Sequence, residues 1–361
     1  MVSIARLMKE LPENFEEKCY EAKAIQRKKG ISDPNDLMML ALFHLVNGCS
    51  LAEVSLIAKL SKLGEISDVG FMKRFANCNG WFESILGEIS PAGQAQYAVP
   101  EWLEGYRPLA VDSSDVSEKG RSGRLYRLHY ALELFRMKTH QYAITDNKTG
   151  ETLCNFAARE NDLFIADRAY GTLRGIKHCL EAKANFILRL RTNCFSVYAQ
   201  GGEKINLPEA VQTLETGEFL NMQAFASGDE GTKIPLRICA MRKPPEALER
   251  TRKRLASKSK QTQVAVTPEA KLFNEYIVLV TALPESITAE QVLQAYRLRW
   301  QAEIYFKRLK SILDFGELPK RRPESVFAWL NGKLMVALLI EKIISGNDFS
   351  PEGVCPKEHL A

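Results

Sequence analysis

Histidine is scarce in this chain, five in 361 residues, and the eight cysteines, at positions 19, 49, 78, 154, 179, 194, 239 and 355, form no Cys-x-x-Cys pair. That scatter offers neither a zinc-ligand set nor a disulfide framework, and it fits a reducing cytoplasm. Long apolar runs are missing too. The longest late one, Leu334 to Ile340, is closed off by Lys333 and Glu341, far short of the roughly 20 residues that a membrane span needs. The first ten residues are too short and too charged a stretch for a secretory signal, so no membrane partner is expected. There is no internal repeat and no low-complexity segment. Nor does one sign of charge dominate: the formal net charge is +5, which permits a nucleic-acid partner without demanding one.

The distribution of charge says more than its sum. Residues 1–100 hold 11 Lys/Arg against 12 Asp/Glu, residues 241–260 hold 8 against 2, and residues 296–322 hold 8 against 3. The last of these stretches opens with Tyr296-Arg-Leu-Arg-Trp-Gln-Ala-Glu-Ile-Tyr-Phe-Lys-Arg-Leu-Lys310, which contains no Gly or Pro and is rich in strong helix formers. At about 100° per residue, Tyr296, Arg299, Glu303, Lys307 and Lys310 fall on one face, with Leu298, Ala302, Tyr305, Leu309 and Ile312 behind them. One carboxylate thus stands among cations. It can ligate a hard metal ion while Arg and Lys one turn away hold phosphate oxygens. The plainer alternative is a solvated face laced by i,i+4 ion pairs.

Taken in order, the first hundred residues read as helices, at 14–29, 35–47, 50–60 and onward from Ser67 or Asp68, with Ser50-Leu-Ala-Glu53 as a capping box. A Gly-containing turn at Lys62-Leu63-Gly64 makes a helix-turn-helix conceivable, with Lys73 and Arg74 as DNA contacts; a plain helical bundle competes with it. Past Pro100, Leu109-Ala-Val-Asp112-Ser-Ser114 reads as a short buried strand ending in an acid and two hydroxyls. A meander follows at 125–135 and 140–144, then a second apolar strand, Leu163 to Ala166, that ends on Asp167 and runs into a helix. Both acids sit at the C-terminal ends of strands, where open α/β sheets place their sites. Asp115, expected in a loop, and Asp162, expected before its strand, are the competing acids. Residues from about 192 to 285 read as a mostly β insertion carrying a basic arm at Pro244–Lys260, suited to phosphate. Ser325 to Ser345 reads as an apolar-rich helix interrupted at Asn331-Gly332, and the rest as a loose polar tail.

The spacing Tyr296-x2-Arg299-x3-Glu303-x6-Lys310, with Arg299-Trp300-Gln301 and Phe306-Lys307 around it, resembles the Tyr-Arg-Glu-Lys signature of bacterial insertion-sequence transposases of the insertion-sequence-four family. Asp167-x-x-Tyr170 is similar to that family's motif around its second acid. The resemblance covers about residues 105–345 and implies an α/β fold: a ribonuclease H-like catalytic core interrupted by the β insertion, preceded by an N-terminal helical domain (1–104) and followed by a tail (346–361). It implies catalytic, metal-holding Asp112, Asp167 and Glu303. It also implies two Mg²⁺ ions, replaceable by Mn²⁺, and phosphate contacts from Tyr296, Arg299, Lys307 and Lys310. Where relatives carry a tryptophan that stacks on a flipped base, counting from Thr281-x-x-Pro284 places Ile277, with Tyr276 beside it as a substitute stacking ring. The partners implied are double-stranded DNA with terminal inverted repeats, target DNA and a second copy of the chain in a synaptic complex. Two other functions keep the same residues: a nuclease without strand transfer, and a catalytically silent DNA-binding regulator.

Overall fold

The computed structural model describes residues 3–27, 30–89, 98–118, 125–136, 138–191, 195–227, 232–304, 307, 317–318 and 323–345. Six helices come first: α1 (Ile4–Lys9), α2 (Phe15–Glu21), α3 (Pro34–Val46), α4 (Leu51–Leu60), α5 (Asp68–Asn77) and α6 (Asn79–Glu88). Their starts are where side-chain oxygens can accept the free N–H groups of a first turn. Ser50 closes a full capping box with Glu53, and Ser67 accepts from Gly70.

The centre is a mixed sheet. Strands β1 (Arg107–Glu118), β2 (Tyr126–Glu133) and β3 (Lys138–Asp146) form an antiparallel meander, and β4 (Asp162–Ala166) and β5 (Asn185–Arg189) join it in parallel, with α7 (Leu173–Glu181) as the crossover. The expected insertion supplies β6 (Val197–Tyr198), α8 (Leu207–Val211), β7 (Phe219–Ser227), β8 (Lys233–Arg242), α9 (Pro245–Thr262), α10 (Pro268–Phe273) and β9 (Tyr276–Thr281). It does not stand apart. β9 pairs antiparallel with β5, so one sheet runs β3-β2-β1-β4-β5-β9-β8-β7-β6. After it come α11 (Ala289–Arg297), a helix α12 described at residues 300–304 and 307, β10 (Glu317–Leu318), which pairs with the far end of β1, and α13 (Pro323–Ser345).

Strand periodicity assigns the two faces. Leu109 and Val111 of β1 pack with Phe164, Tyr170, Ile176 and Phe186 on the α7 side, whereas Ala110 points to the side of α11 with Leu293, Ala295, Tyr296 and Ala302. Further along that second face, Val116, Leu128, Tyr130 and Leu132 enter a core shared with the N-terminal helices and α13. No helix of the described residues is long and apolar enough to cross a membrane.

Three expectations need correction. Strand β1 does not stop at Ser114 but continues to Glu118, because β2 pairs with it through Val116, so Asp112 and Asp115 both lie inside the strand. The helix expected to be interrupted at Asn331-Gly332, α13, runs unbroken through them, and it packs into the core of the N-terminal bundle. Finally, the helix expected across residues 296–310 breaks. α11 ends at Arg297, and Leu298 and Arg299 form a turn with i→i−3 hydrogen bonds before α12 begins. Lys310 and the tail 346–361 lie outside the described residues, and of Lys307 the structure describes a helical, exposed residue.

Candidate active site

Asp112 faces α11 and α12 from the middle of β1, on the same side of the sheet as Ala110. Its Oδ1 accepts from the Ser113 amide at 2.8 Å. Across from it, Arg299 sits in the turn between the two helices. Its Nη1 lies 3.9 Å from Asp112 Oδ2 and its Nη2 2.6 Å from Glu303 Oε1. The guanidinium lies over the Tyr296 ring, 5.7 Å from its centroid. Despite the helix break, then, Tyr296, Arg299 and Glu303 keep the common face that their spacing implies. Arg299 brings the acid on β1 and the acid on α12 together.

Asp167 follows the last residue of β4, which pairs with β1 up to Val111–Ala166. It does not cap α7. Thr172 does that, while an Asp167 carboxyl oxygen accepts from the Ala169 amide at 2.7 Å and turns the chain. Gly171 lets this turn lie against β5, since a Cβ there would meet the Arg189 carbonyl oxygen at 2.9 Å. Burial pushes the Asp112 carboxyl up to about 6; the Ser113 amide and Arg299 oppose that rise, and the negative charges of Asp167 and Glu303 add to it. Asp112 therefore feels both other acids. The Arg299 guanidinium is disfavoured by its own burial, but Tyr296, Glu303 and Asp112 more than offset this and hold it charged.

The competing acids are engaged elsewhere. Asp162 is fully buried in an ion pair with Arg107 at 2.5 Å and accepts from the Arg159 amide, and Asp115 pairs with Arg127 at 3.0 Å. Sequence reasoning missed a second group behind Asp112. The Ser113 hydroxyl donates to Glu151, and Tyr170, fully buried, sets its hydroxyl beside Ser113 without completing a hydrogen bond. Burial, then the charges of Asp112 and Glu151, hold that phenol well above its ordinary range. Tyr170 had a signal in its spacing from Asp167; Glu151, in a loop, had none.

Tyr276 is corrected. It is 2% exposed, and its hydroxyl donates to the Gln212 carbonyl, so its ring belongs to the core and offers no face for a base. Its neighbour Ile277, with Met241, instead floors a surface cleft ringed by Arg189, Lys243, Arg250, Arg254 and Arg297. Arg189, Arg254 and Arg297 form no ion pair with any described residue. Burial, then the charges of Arg189 and Arg254 in the cleft, push down the pKa of Arg168, the residue after Asp167. Arg74, by contrast, donates to the Arg27 carbonyl and braces the helical bundle.

Among the described residues no three His, Cys, Asp or Glu side chains enclose a metal position as they stand; the Arg299 guanidinium occupies the space between Asp112 and Glu303.

Comparison with known proteins gives a consistent result. The family model for the transposase DDE domain matches residues 104–339. InsL, named for insertion sequence element IS186A of Escherichia coli (strain K12), is 31% identical over 347 residues, covering 94% of this chain and 93% of that protein. The transposase for IS421 of Escherichia coli is 31% identical over 348 residues with the same coverage, and that for IS231F of Bacillus thuringiensis subsp. israelensis is 28% identical over 91% of this chain and 76% of its own length.

Proposed function

The chain belongs to the insertion-sequence transposases that carry a DDE domain, and from that premise we propose that Asp112, Asp167 and Glu303 are the carboxylates on which this DNA transposase cuts and joins the ends of its element. The observation that carries the proposal is geometric: the Arg299 guanidinium lies 3.9 Å from Asp112 on β1 and 2.6 Å from Glu303 on α12, and Asp167 leaves β4 one position past its Val111–Ala166 pair with the strand that carries Asp112. A ribonuclease H-like core is the finer fold reading. Its support is the sheet half β3-β2-β1-β4-β5, antiparallel at β1–β3 and parallel at β1, β4 and β5.

The donor set suits divalent ions. Three hard oxygen ligands carry more negative charge than one guanidinium offsets, and Mg²⁺ or Mn²⁺ prefers such oxygens. Asp112, Asp167 and Glu303 would hold two such ions. When bound, these would supply Lewis acidity to the attacking and leaving oxygens of an in-line displacement at phosphorus. The remaining work falls to the chain. Arg299, backed by Tyr296, offers a forked donor to a phosphate. Lys307, exposed, extends the positive face, and for Lys310, outside the described residues, the signature implies the same phosphate role. The cleft of Arg189, Lys243, Arg250, Arg254 and Arg297 would track the backbone of the bound strand beyond the scissile bond. DNA with the element's ends is the substrate. Each chain carries one such acid centre, so two ends joined to one target call for two copies.

The test is Glu303→Gln in the purified protein, assayed on end DNA with Mg²⁺ or Mn²⁺. Cleavage is expected to fall by about 100-fold or more, with the thermal midpoint held, because Glu303 is a half-exposed side chain (45%). Undiminished cleavage would refute the assignment.

A further inference from the structure

Arg299 holds two acids that belong to different elements, and this is more than a helical ion pair requires. An i,i+4 pair with Glu303 is ordinary on a helix surface. It does not account for the approach to Asp112 on β1 or for a side chain only 15% exposed. Nor does it account for Nε, which is buried without an acceptor among the described residues. A guanidinium has five donors and cannot lose its charge in a protein. Here it is fixed by its charge and stacking yet left with its buried Nε unsatisfied, an arrangement that improves if a new acceptor arrives.

We infer that Arg299 is an internal counter-ion to Asp112 and Glu303, which leaves their oxygens when a divalent ion takes them and turns to a phosphate of the DNA. The inference rests on the reading of Asp112 and Glu303 as metal ligands. A guanidinium nitrogen 2.6 Å from a Glu303 oxygen fills a position next to the one a metal needs, and two cations at one carboxylate repel. Occupancy by one therefore opposes occupancy by the other, and by linkage the opposition is mutual. Without metal the acids are neutralised in part and held in place; with metal, the arginine is freed where the substrate's phosphate must lie. Metal loading and phosphate capture thus become one exchange, in which the guanidinium passes from one anionic partner to another.

The experiment is Mn²⁺ binding to the DNA-free protein, followed by electron paramagnetic resonance and by calorimetry, in four variants whose folding is checked by thermal melting. Arg299→Gln removes the competing charge and is expected to tighten Mn²⁺ binding about fivefold or more while weakening end-DNA binding. Arg299→Lys keeps a charge in place and is expected to stay within about twofold of the unsubstituted protein, which separates counter-ion competition from a packing defect. Asp112→Asn and Glu303→Gln are expected to weaken Mn²⁺ binding. If these two weaken it but Arg299→Gln leaves it unchanged or weaker, the counter-ion role is overturned and the metal assignment stands. If Asp112→Asn and Glu303→Gln change nothing, the metal assignment itself falls and the inference with it.

Discussion

Lys243 shows what a single residue can report about the basic cleft. It is 7% exposed, and its ammonium group donates to the Thr251 hydroxyl and the Asn274 carbonyl. Burial pushes its pKa down to about 7, and the charges of Arg189, Arg168 and Arg254 push the same way against Glu275. The unfolded chain, with an ordinary lysine near 10.4, binds more protons than the folded one between about pH 7 and 10. The contribution of Lys243 to stability therefore rises with pH across that window and is at its worst below it, where a buried charge must be carried. A phosphate in the cleft reverses the balance by favouring the ammonium form. At pH 8, DNA binding is then expected to take up close to one proton, seen as a dependence of the calorimetric enthalpy on buffer ionisation heat. In Lys243→Met that dependence is expected to vanish. Equal proton uptake by both proteins would place the DNA elsewhere.

At the scale of elements, helix α9 is the part built for a polyanion. It starts at Pro245, whose missing N–H costs nothing in a first turn, and it carries Arg250 and Arg254 exposed on the cleft side. Neither supports the core, so Arg250→Ala with Arg254→Ala is expected to leave the melting temperature within about 2 °C. The pair should reduce the slope of log affinity for DNA against log salt by roughly two. An unchanged slope would show that these guanidiniums face water in the complex. Elements of this kind were legible in the sequence because their cues are local. Ser50 marks its helix start by capping chemistry, and the stretch read as a mostly β insertion does supply β6 to β9. What escaped depends on partners distant in sequence. The run Asp115–Ser117 reads as a loop until β2 is laid beside it. No Gly or Pro announces the break at Leu298–Arg299; Arg299 lies there over Tyr296 and between Asp112 and Glu303. The union of the insertion with the main sheet rests on three residue pairs between β5 and β9. Tyr276 was misjudged because an aromatic on a strand gives no sign of which side is core. That Asp112, Asp167 and Glu303 form one set is implied by the resemblance to a family, since periodicity alone cannot relate acids so far apart in sequence.

For the whole molecule, the decisive fact is that the last helix completes the first domain. Along α13, Val326, Trp329, Leu330, Leu334, Met335 and Leu339 are buried against the N-terminal helices and the β1–β2 face, each worth about 1.5–3 kcal/mol relative to exposure. Asn331 donates to Asn79 and Glu83 on α6, which satisfies the one amide on that face. Beside it, Gly332 permits the close approach of α13 to α3 and α6, because a Cβ would stand 2.7 Å from Leu45 Cδ1 and 3.2 Å from Phe82 Cε2. Both neighbours are themselves fully buried and have nowhere to retreat. Since this core also includes Val116 and Leu128 beside the acid-bearing part of β1, the bundle and the sheet cannot lose their packing separately. Unfolding is therefore expected as a single calorimetric transition. Gly332→Val, which gains some helix preference over Gly but overpacks the interface, is expected to lower the whole transition by an amount equivalent to about 1–3 kcal/mol. Two resolved transitions, with only the earlier one moved by Gly332→Val, would mean that the N-terminal helices and α13 form a unit independent of the sheet that carries Asp112.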